Sequence, residues 1–196
     1  MKSFMTRTST YPIQEEFLTR SSRRAFDENN RLTEEQLLSL FEAARWAPSS
    51  FNGQPWRFIY ARRGEKEWES LFNVLGDFNK SWCKHADTLV LVLSRNNFEH
   101  NNKPSPTSKF DAGAAWMSLA LQAHAQGNIA HGMEGFDYEA IRKTLQIPDT
   151  YSVNCMVAVG KPGKKEDLPK DLQEKETPST RKPLDEIISK GIFNFK

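Results

Sequence analysis

The 196-residue chain lacks the features that define several protein classes. Its two cysteines, Cys83 and Cys155, are isolated in the sequence, which argues against a disulfide framework or a thiolate metal site. The four histidines show no H-E-x-x-H or other close ligand spacing, so we expect no metal. No apolar run approaches the roughly 20 residues that span a bilayer, and residues 1–12 contain no apolar signal core. These absences favour a cytoplasmic protein without a membrane partner.

A charge excess of one sign is also missing. Lysine and arginine number 27 against 25 acidic residues, and the formal charge of +2 does not indicate a nucleic-acid surface. The chain has no G-x-G-x-x-G fingerprint, so we expect no separate Rossmann domain for a dinucleotide. A length of 196 residues predicts one domain over 1–196.

Apolar periodicity indicates an α+β fold. Thr33 and Gln36 form a predicted capping box for a helix that Pro48 ends. The alanine-rich segment 111–126 predicts a helix that is either central or part of a subunit interface. Three apolar or alternating segments predict strands, namely 58–61, 88–93 and 151–159.

Two polar segments interrupt this pattern. Residues 96–109 predict a long loop, for which a lid over a pocket and a disordered surface loop are both open interpretations. Residues 161–183 are rich in lysine, glutamate and proline and have no apolar period, which predicts an extended C-terminal arm over 161–196. The arm ends in apolar residues, and docking on a partner subunit would bury them.

Two polar clusters flank the helix that begins after Thr33. The first runs Arg20-Ser21-Ser22-Arg23-Arg24-Ala25-Phe26, and the second runs Ala47-Pro48-Ser49-Ser50-Phe51-Asn52-Gly53-Gln54-Pro55-Trp56. Fixed cations and hydroxyls suit a phosphate and an electron-rich ring edge. The two clusters therefore predict a site for a phosphorylated cofactor.

These clusters, together with Met133-Glu134-Gly135-Phe136-Asp137 and Arg181-Lys182-Pro183-Leu184, occur in an order that resembles the flavin-dependent nitroreductase family. The resemblance implies FMN as cofactor and NADH or NADPH as a transient co-substrate. It also implies a mixed central β-sheet flanked by helices, and an intertwined homodimer with FMN at the interface. The expected activity is ping-pong hydride transfer to nitroaromatics, quinones or similar small electron-poor acceptors.

The resemblance also assigns site residues. Contacts to the phosphate or ring edge fall to Arg20, Ser21, Ser22, Arg24 and Arg181. The loop that lines the flavin ring comprises Pro48, Ser49, Ser50 and Asn52, with Gln54 beside it. Met133 leads into Glu134 and Gly135, which match the backbone that approaches flavin N5 and O4, and Asn79 aligns with an amide at the ring edge. No side chain is expected as a catalytic acid or base, because FMN carries the chemistry.

The chain departs from the family pattern at two places. Trp82 stands where some members carry a cation, and it either alters the flavin potential or forms part of the substrate wall. His131-Gly132 stands near a position where the family commonly has proline. Two other functions stay open, namely a specific aldehyde or enone reductase or flavin-consuming enzyme on the same fold, and a non-catalytic flavin-binding protein.

Overall fold

A computed structural model of the protein describes residues 7–195. Lys196 and residues 1–6 lie outside the described residues. Residues 1–6 are part of the segment 1–12, for which the sequence predicts no signal core. Within residues 7–195, no helix combines the length and the apolar character needed to cross a bilayer. The same residues contain no group of three or more histidines, cysteines or carboxylates arranged to hold a metal ion.

A four-stranded sheet forms the centre of the molecule. Its strands are β1 (Trp56–Arg62), β2 (Thr88–Arg95), β3 (Ile129–Met133) and β4 (Tyr151–Gly160). Their order is β1-β2-β4-β3, so β1 and β3 form the two edges. All three strand pairs are antiparallel, whereas a mixed sheet was expected. The α+β class is confirmed, and the correction concerns only the strand directions.

Helices cover both faces of this sheet and explain the continuous apolar run in β2. Seven helices occur in the described part of the chain: α1 (Glu15–Thr19), α2 (Glu34–Arg45), α3 (Trp68–Phe72), α4 (Asp77–Cys83), α5 (Ser108–Ala125), α6 (Tyr138–Thr144) and α7 (Lys170–Gln173). Leu89 and Leu91 pack with residues of α3, α4 and α6, while Val90 and Val92 pack with α2 and α5. Two helical layers therefore bury β2 completely without any parallel strand pairing.

The predicted helix signals are present in the structure. The Thr33 hydroxyl accepts a hydrogen bond from the Gln36 amide at 3.1 Å, and the Gln36 side chain accepts one from the Thr33 amide at 3.1 Å. Asp137 caps α6 by accepting hydrogen bonds from Glu139 and Ala140. The alanine-rich helix α5 begins three residues earlier than the predicted segment, and its small residues pack closely against α2 and the sheet.

The segment 96–109 is ordered in the structure. Asn97 and Pro104 form an antiparallel bridge, and the Phe98 amide donates to the Lys103 carbonyl at 2.9 Å. The segment thus forms a tight hairpin beside the end of β2, and its last two residues already belong to α5. A disordered surface loop is thereby excluded.

The C-terminal segment has two parts of different character. Leu168, in extended backbone just before α7, and Leu172, within α7, are both buried in the same core as residues of α3 and α4. Residues 179–195 are exposed throughout, including Ile188 and Phe193. The chain therefore holds the first half of the predicted arm against its own core and leaves the second half exposed.

Candidate functional site

The first polar cluster and the C-terminal segment enclose a cleft of about 260 Å³. We call it the cation cleft. Its lining includes Arg7, Arg20, Ser21, Ser22, Arg23, Arg24, His131, Lys175, Glu176, Ser179 and Arg181. Arg20, Ser21, Ser22, Arg24 and Arg181 are all present, although Arg181 lies 161 positions after Arg20 in the sequence. Asn79, which was also assigned to the ring edge, does not line this cleft. Sequence reasoning missed Arg7, His131 and Glu176.

Three cations of this cleft, Arg7, Arg20 and Arg181, have no carboxylate partner in the described structure. Partial burial lowers the pKa of Arg20, and the positive charges of Arg7 and Arg181 lower it further. Burial and the charge of Arg181 likewise lower the pKa of Arg7. Over residues 7–195, no carboxylate lies within ion-pair distance of Arg7, Arg20 or Arg181. Such mutual repulsion is relieved by an anion, and a phosphate group has the matching charge and acceptor oxygens.

Arg24 occupies the inner wall of the cation cleft. Its guanidinium carbon lies 5.9 Å from the centre of the Trp82 ring, and its Nε is buried with no hydrogen-bond partner in the described structure. Trp82 is itself fully buried, stacked on Phe26 with ring centres 6.1 Å apart. Trp82 therefore supports Arg24 from beneath, and it does not form an exposed substrate wall in this chain.

Glu176 fixes the main chain of the first cluster. Its carboxylate accepts hydrogen bonds from the Arg24 amide at 2.9 and 3.0 Å and from the Ala25 amide at 3.0 Å. The side chain is only 2 % exposed, and its nearest cation is Arg23 at 3.6 Å. A residue of the C-terminal segment thus holds the arginine cluster in place from 152 positions away.

His131 joins the same network from β3. Its Nδ1 lies 3.0 Å from the Arg23 carbonyl, so Nδ1 carries the proton and donates it. Burial lowers the pKa of His131; the Arg23 carbonyl opposes this shift, and the charge of Arg24 adds to it. The ring lies 4.6 Å from Trp82, while a Cβ at Gly132 would come within 3.3 Å of Trp116. The two residues at which the chain departs from the family pattern here, His131 and Gly132, therefore pack against the indole rings of Trp82 and Trp116.

Asn79 and Gly135 meet at the end of β3. The Asn79 amide donates to the Gly135 carbonyl at 3.0 Å, and the Gly76 amide donates to the same oxygen at 2.9 Å. A Cβ at Gly135 would lie 2.9 Å from Asn79 Nδ2, so any larger residue here would displace the Asn79 amide. Met133 is buried and Glu134 is exposed. The structure thus brings together two residues that the sequence assigned separately.

The second cluster forms a strained loop, which we call the serine loop (residues 48–54). Phe51, Asn52 and Gln54 have positive φ angles of 53°, 51° and 44°. The Ser49 hydroxyl accepts a hydrogen bond from the Gln54 amide at 3.0 Å, and the Ser50 amide donates to Asp111 at 3.2 Å. Non-glycine residues with positive φ concentrate at functional sites, where surrounding contacts hold the strain.

The serine loop and the cation cleft lie at opposite edges of the sheet. The loop leads into β1, whereas His131 and Gly135 belong to β3 and its exit. With strands spaced about 4.8 Å apart, the two edge strands are separated by roughly 14 Å. No residue of 48–54 lines the cation cleft. Within one chain, therefore, the serine loop and the cation cleft do not meet.

A larger cavity of about 530 Å³ lies beside the cation cleft and shares Arg7, Ser21, Arg23, Glu176 and Pro178 with it. It includes neither Arg20 nor Arg181, and most of its additional lining comes from α1 and the start of β3. Of the three cations without a carboxylate partner, Arg20 and Arg181 therefore line only the smaller cleft, while Arg7 borders both.

Comparison with known proteins agrees with this geometry. The model of the nitroreductase family matches residues 18–81 and 65–161. Protein DrgA from Synechocystis is 30% identical over 179 residues, covering 76% of this chain and 83% of that protein. An NADH dehydrogenase from Thermus thermophilus is 25% identical over 182 residues, covering 78% and 83%. A solved structure described as an oxidoreductase containing FMN is 44% identical, with a TM-score of 0.93 and full coverage of both chains.

These relatives agree with the cofactor and the nicotinamide co-substrate expected from the sequence motifs. The family match covers both polar clusters and the Met133-Glu134-Gly135 segment. The chain belongs to the nitroreductase family.

Proposed function

We propose that the protein is an NAD(P)H-dependent oxidoreductase that holds FMN and reduces nitroaromatics, quinones or similar electron-poor acceptors. The observation that carries this proposal is the cation cleft, in which Arg7, Arg20 and Arg181 repel one another without a carboxylate within ion-pair distance in residues 7–195. A buried, unpartnered Arg24 Nε adds a donor beside them. These groups fit the phosphate and ring edge of FMN.

Different residues would bind different parts of FMN. Arg20, Arg181 and the hydroxyls of Ser21 and Ser22 hold the phosphate, while Arg24 places a fixed cation at the ring edge. When bound, FMN supplies a ring that takes hydride equivalents from NADH or NADPH and passes them to an acceptor in ping-pong alternation. The Asn79–Gly135 contact holds the backbone of the Glu134-Gly135 segment rigid near that ring.

The remaining site residues come from the serine loop, and we place them in the site of a second copy. Ser49, Ser50 and Asn52 would line the ring bound in the partner's cation cleft, with Pro48 and Gln54 shaping the loop. Two half-sites at opposite edges of one chain fit a two-fold dimer, because the same pair of surfaces then forms both sites. The exposed Ile187, Ile188, Ile192 and Phe193 give the C-terminal arm an apolar end that a partner subunit would bury.

The properties of the two cysteines argue against a catalytic thiol and so favour chemistry carried by the cofactor. Burial raises the pKa of Cys83 to about 12 and that of Cys155 to about 11. Neither group is a thiolate at neutral pH, so neither is a competent nucleophile. Both cysteines are free, which agrees with the reducing cytoplasm that we propose as the location.

The test is an anaerobic visible spectrum of the purified protein, recorded before and after addition of NADH or NADPH, and again after an acceptor. We expect a flavin band that bleaches with nicotinamide and returns with nitrobenzene or a quinone. A bound flavin that neither nicotinamide reduces would contradict the enzymatic proposal and favour a non-catalytic flavin-binding protein. A protein that binds no FMN when supplied with it would overturn the site assignment.

A further inference from the structure

Arg24 of the cation cleft is fixed at its main chain but not at its charged group. Glu176 accepts hydrogen bonds from the Arg24 amide at 2.9 and 3.0 Å. One residue earlier, the Arg23 carbonyl accepts a hydrogen bond from His131 at 3.0 Å. In the part of the chain that the structure describes, no hydrogen bond or ion pair holds the Arg24 guanidinium group, and its Nε is buried without a partner. The position of this cation therefore depends on what its side chain packs against.

The Arg24 side chain packs against Trp82, and Trp82 is held in place by its own neighbours. The guanidinium carbon lies 5.9 Å from the centre of the Trp82 ring, which is within the range of a cation–π contact. The Trp82 ring stacks on Phe26 with 15° between the two planes, and the ring of His131 lies 4.6 Å away. Phe26 is confined in turn by β4, because a Cβ at Gly160 would lie 2.7 Å from its ring. Trp82 therefore gives the Arg24 cation a rigid surface on which to rest.

A cation that rests on a ring acts differently from one on a free side chain. An unsupported arginine side chain samples several rotamers and keeps its charge in water, whereas a guanidinium group packed on an indole face is held in fewer positions. Reduction of a flavin places negative charge at the N1 and C2-oxygen edge of its ring. A cation that is already fixed at that edge stabilises this charge without having to reorganise. The support under Arg24 therefore bears on how readily a flavin in the cleft is reduced.

We propose that Trp82 is a positioning residue that raises the reduction potential of the bound flavin by holding the Arg24 guanidinium group at the ring edge. This inference rests on the proposed function, in which Arg24 lies at that edge. The ring edge of oxidised flavin carries no full charge, so the support from Trp82 affects the binding of reduced flavin more than that of oxidised flavin. Loss of the indole face should therefore change the ratio of these two affinities and leave the binding of oxidised FMN nearly unchanged.

The experiment measures the two-electron potential of FMN bound to the protein, by anaerobic equilibration with a reference dye and with dithionite as the reductant. Trp82→Met keeps an apolar side chain but removes the aromatic face. For this variant we expect reduced FMN to lose about tenfold in affinity relative to oxidised FMN, which lowers the potential by about 30 mV. Trp82→Phe keeps a ring face and should stay close to the wild-type potential. The control, Trp68→Met, removes another buried indole, stacked on Phe72 and outside the cleft, and should leave the potential unchanged.

Variants of Arg24 show whether Trp82 acts through that cation. Arg24→Gln should lower the potential at least as much as Trp82→Met, and the two substitutions together should add little, because both remove the same interaction. Arg24→Lys carries the test if Trp82→Met does not fold. It keeps the charge but loses the planar group that rests on the indole, so the ratio of affinities should fall about threefold, or by about 15 mV.

The outcomes separate this inference from the proposed function. An unchanged potential in Trp82→Met, an equal fall in Trp82→Phe, fully additive losses with Arg24→Gln, or an unchanged potential in Arg24→Lys would each overturn the positioning role alone. Because dithionite is the reductant, the potential is measured whether or not nicotinamide reduces the flavin. A wild-type protein that binds no FMN would refute both the site assignment and this inference.

Discussion

The cation cleft and the serine loop belong to the same proposed site but are built by different means. Long-range contacts hold the cleft together, since Glu176 contacts Arg24 across 152 positions and His131 contacts Arg23 across 108. The loop relies more on local contacts, since Ser49 contacts Gln54 across five positions and Gln54 contacts Asn52 across two, with one long-range bond from Ser50 to Asp111. The cleft is charged and has buried residues, Glu176 and His131, at its base, whereas the loop is largely exposed and strained. Substitutions in the two regions should therefore have different consequences for stability and for ligand binding.

The largest expected effect on folding comes from Glu176. Glu176→Ala leaves the amides of Arg24 and Ala25 buried without an acceptor, and we expect the free energy of unfolding to fall by about 3 kcal/mol. Glu176→Gln is the matched control, because the side-chain oxygen of glutamine can accept the hydrogen bonds from both amides. Its loss of unfolding free energy should be clearly smaller. Urea denaturation of the apo-protein measures both. If both variants lose the same free energy of unfolding, Glu176 stabilises the protein through its charge and not by accepting the two backbone hydrogen bonds.

The phosphate assignment is tested by removing Arg20 and Arg181, two cations that lie far apart in the sequence and line the same cleft. Arg20→Ala combined with Arg181→Ala should weaken FMN binding about a hundredfold, because two charge-assisted hydrogen bonds are lost. Binding of riboflavin, which has no phosphate, should change little. Flavin fluorescence titration measures both ligands. The control, Arg45→Ala with Lys143→Ala, removes two exposed cations outside the cleft and should leave the affinity for FMN intact. Full flavin retention in the first double variant would contradict the assignment.

The cleft should also respond to pH in a way that the loop does not. Burial lowers the pKa of His131 in the folded protein, so the unfolded chain takes up this proton first as the pH falls below about 6.5. The contribution of neutral His131 to the free energy of unfolding is therefore complete above about pH 6.5. As the pH falls further toward the lower pKa of the folded protein, this contribution should be lost, with a slope of at most about 1.4 kcal/mol per pH unit. Parallel stability curves for the wild type and His131→Gln between pH 7.5 and 5.5 would contradict this.

The smallest expected effect lies in the serine loop. Gln54→Gly relieves a φ of 44° and should raise the free energy of unfolding by about 0.5 kcal/mol. The same substitution at Gln146, with a φ of 52° at the end of α6, should give a similar gain. Only Gln54→Gly should weaken FMN binding, about two- to threefold, because it loosens a loop that lines the ring. If both variants bind FMN equally well, the strain at Gln54 has no bearing on the ligand.

The same difference explains what the sequence could predict. Thr33 with Gln36 and the valine and leucine run of β2 encode their structure within a few residues, and both were identified. The motif resemblance led to the family and to Arg20 and Arg24 of the first cluster, but not to Arg23, which also lines the cleft. Glu176 and Arg7 were missed because their partners are defined only after the chain has folded, and nothing in the adjacent sequence distinguishes them from surface charges. The strand directions failed for a related reason, since burial on both faces does not reveal which way a neighbouring strand runs.

Placement of the two half-sites on opposite edges of the sheet has a genetic consequence if the proposed dimer forms. Consider one chain damaged only in its arginines and another damaged only in its serine loop. In a mixed dimer of these two chains, one site receives both lesions and the other receives none. Two alleles that are each inactive alone would then complement one another, with a ceiling of half the normal number of working sites in each mixed dimer.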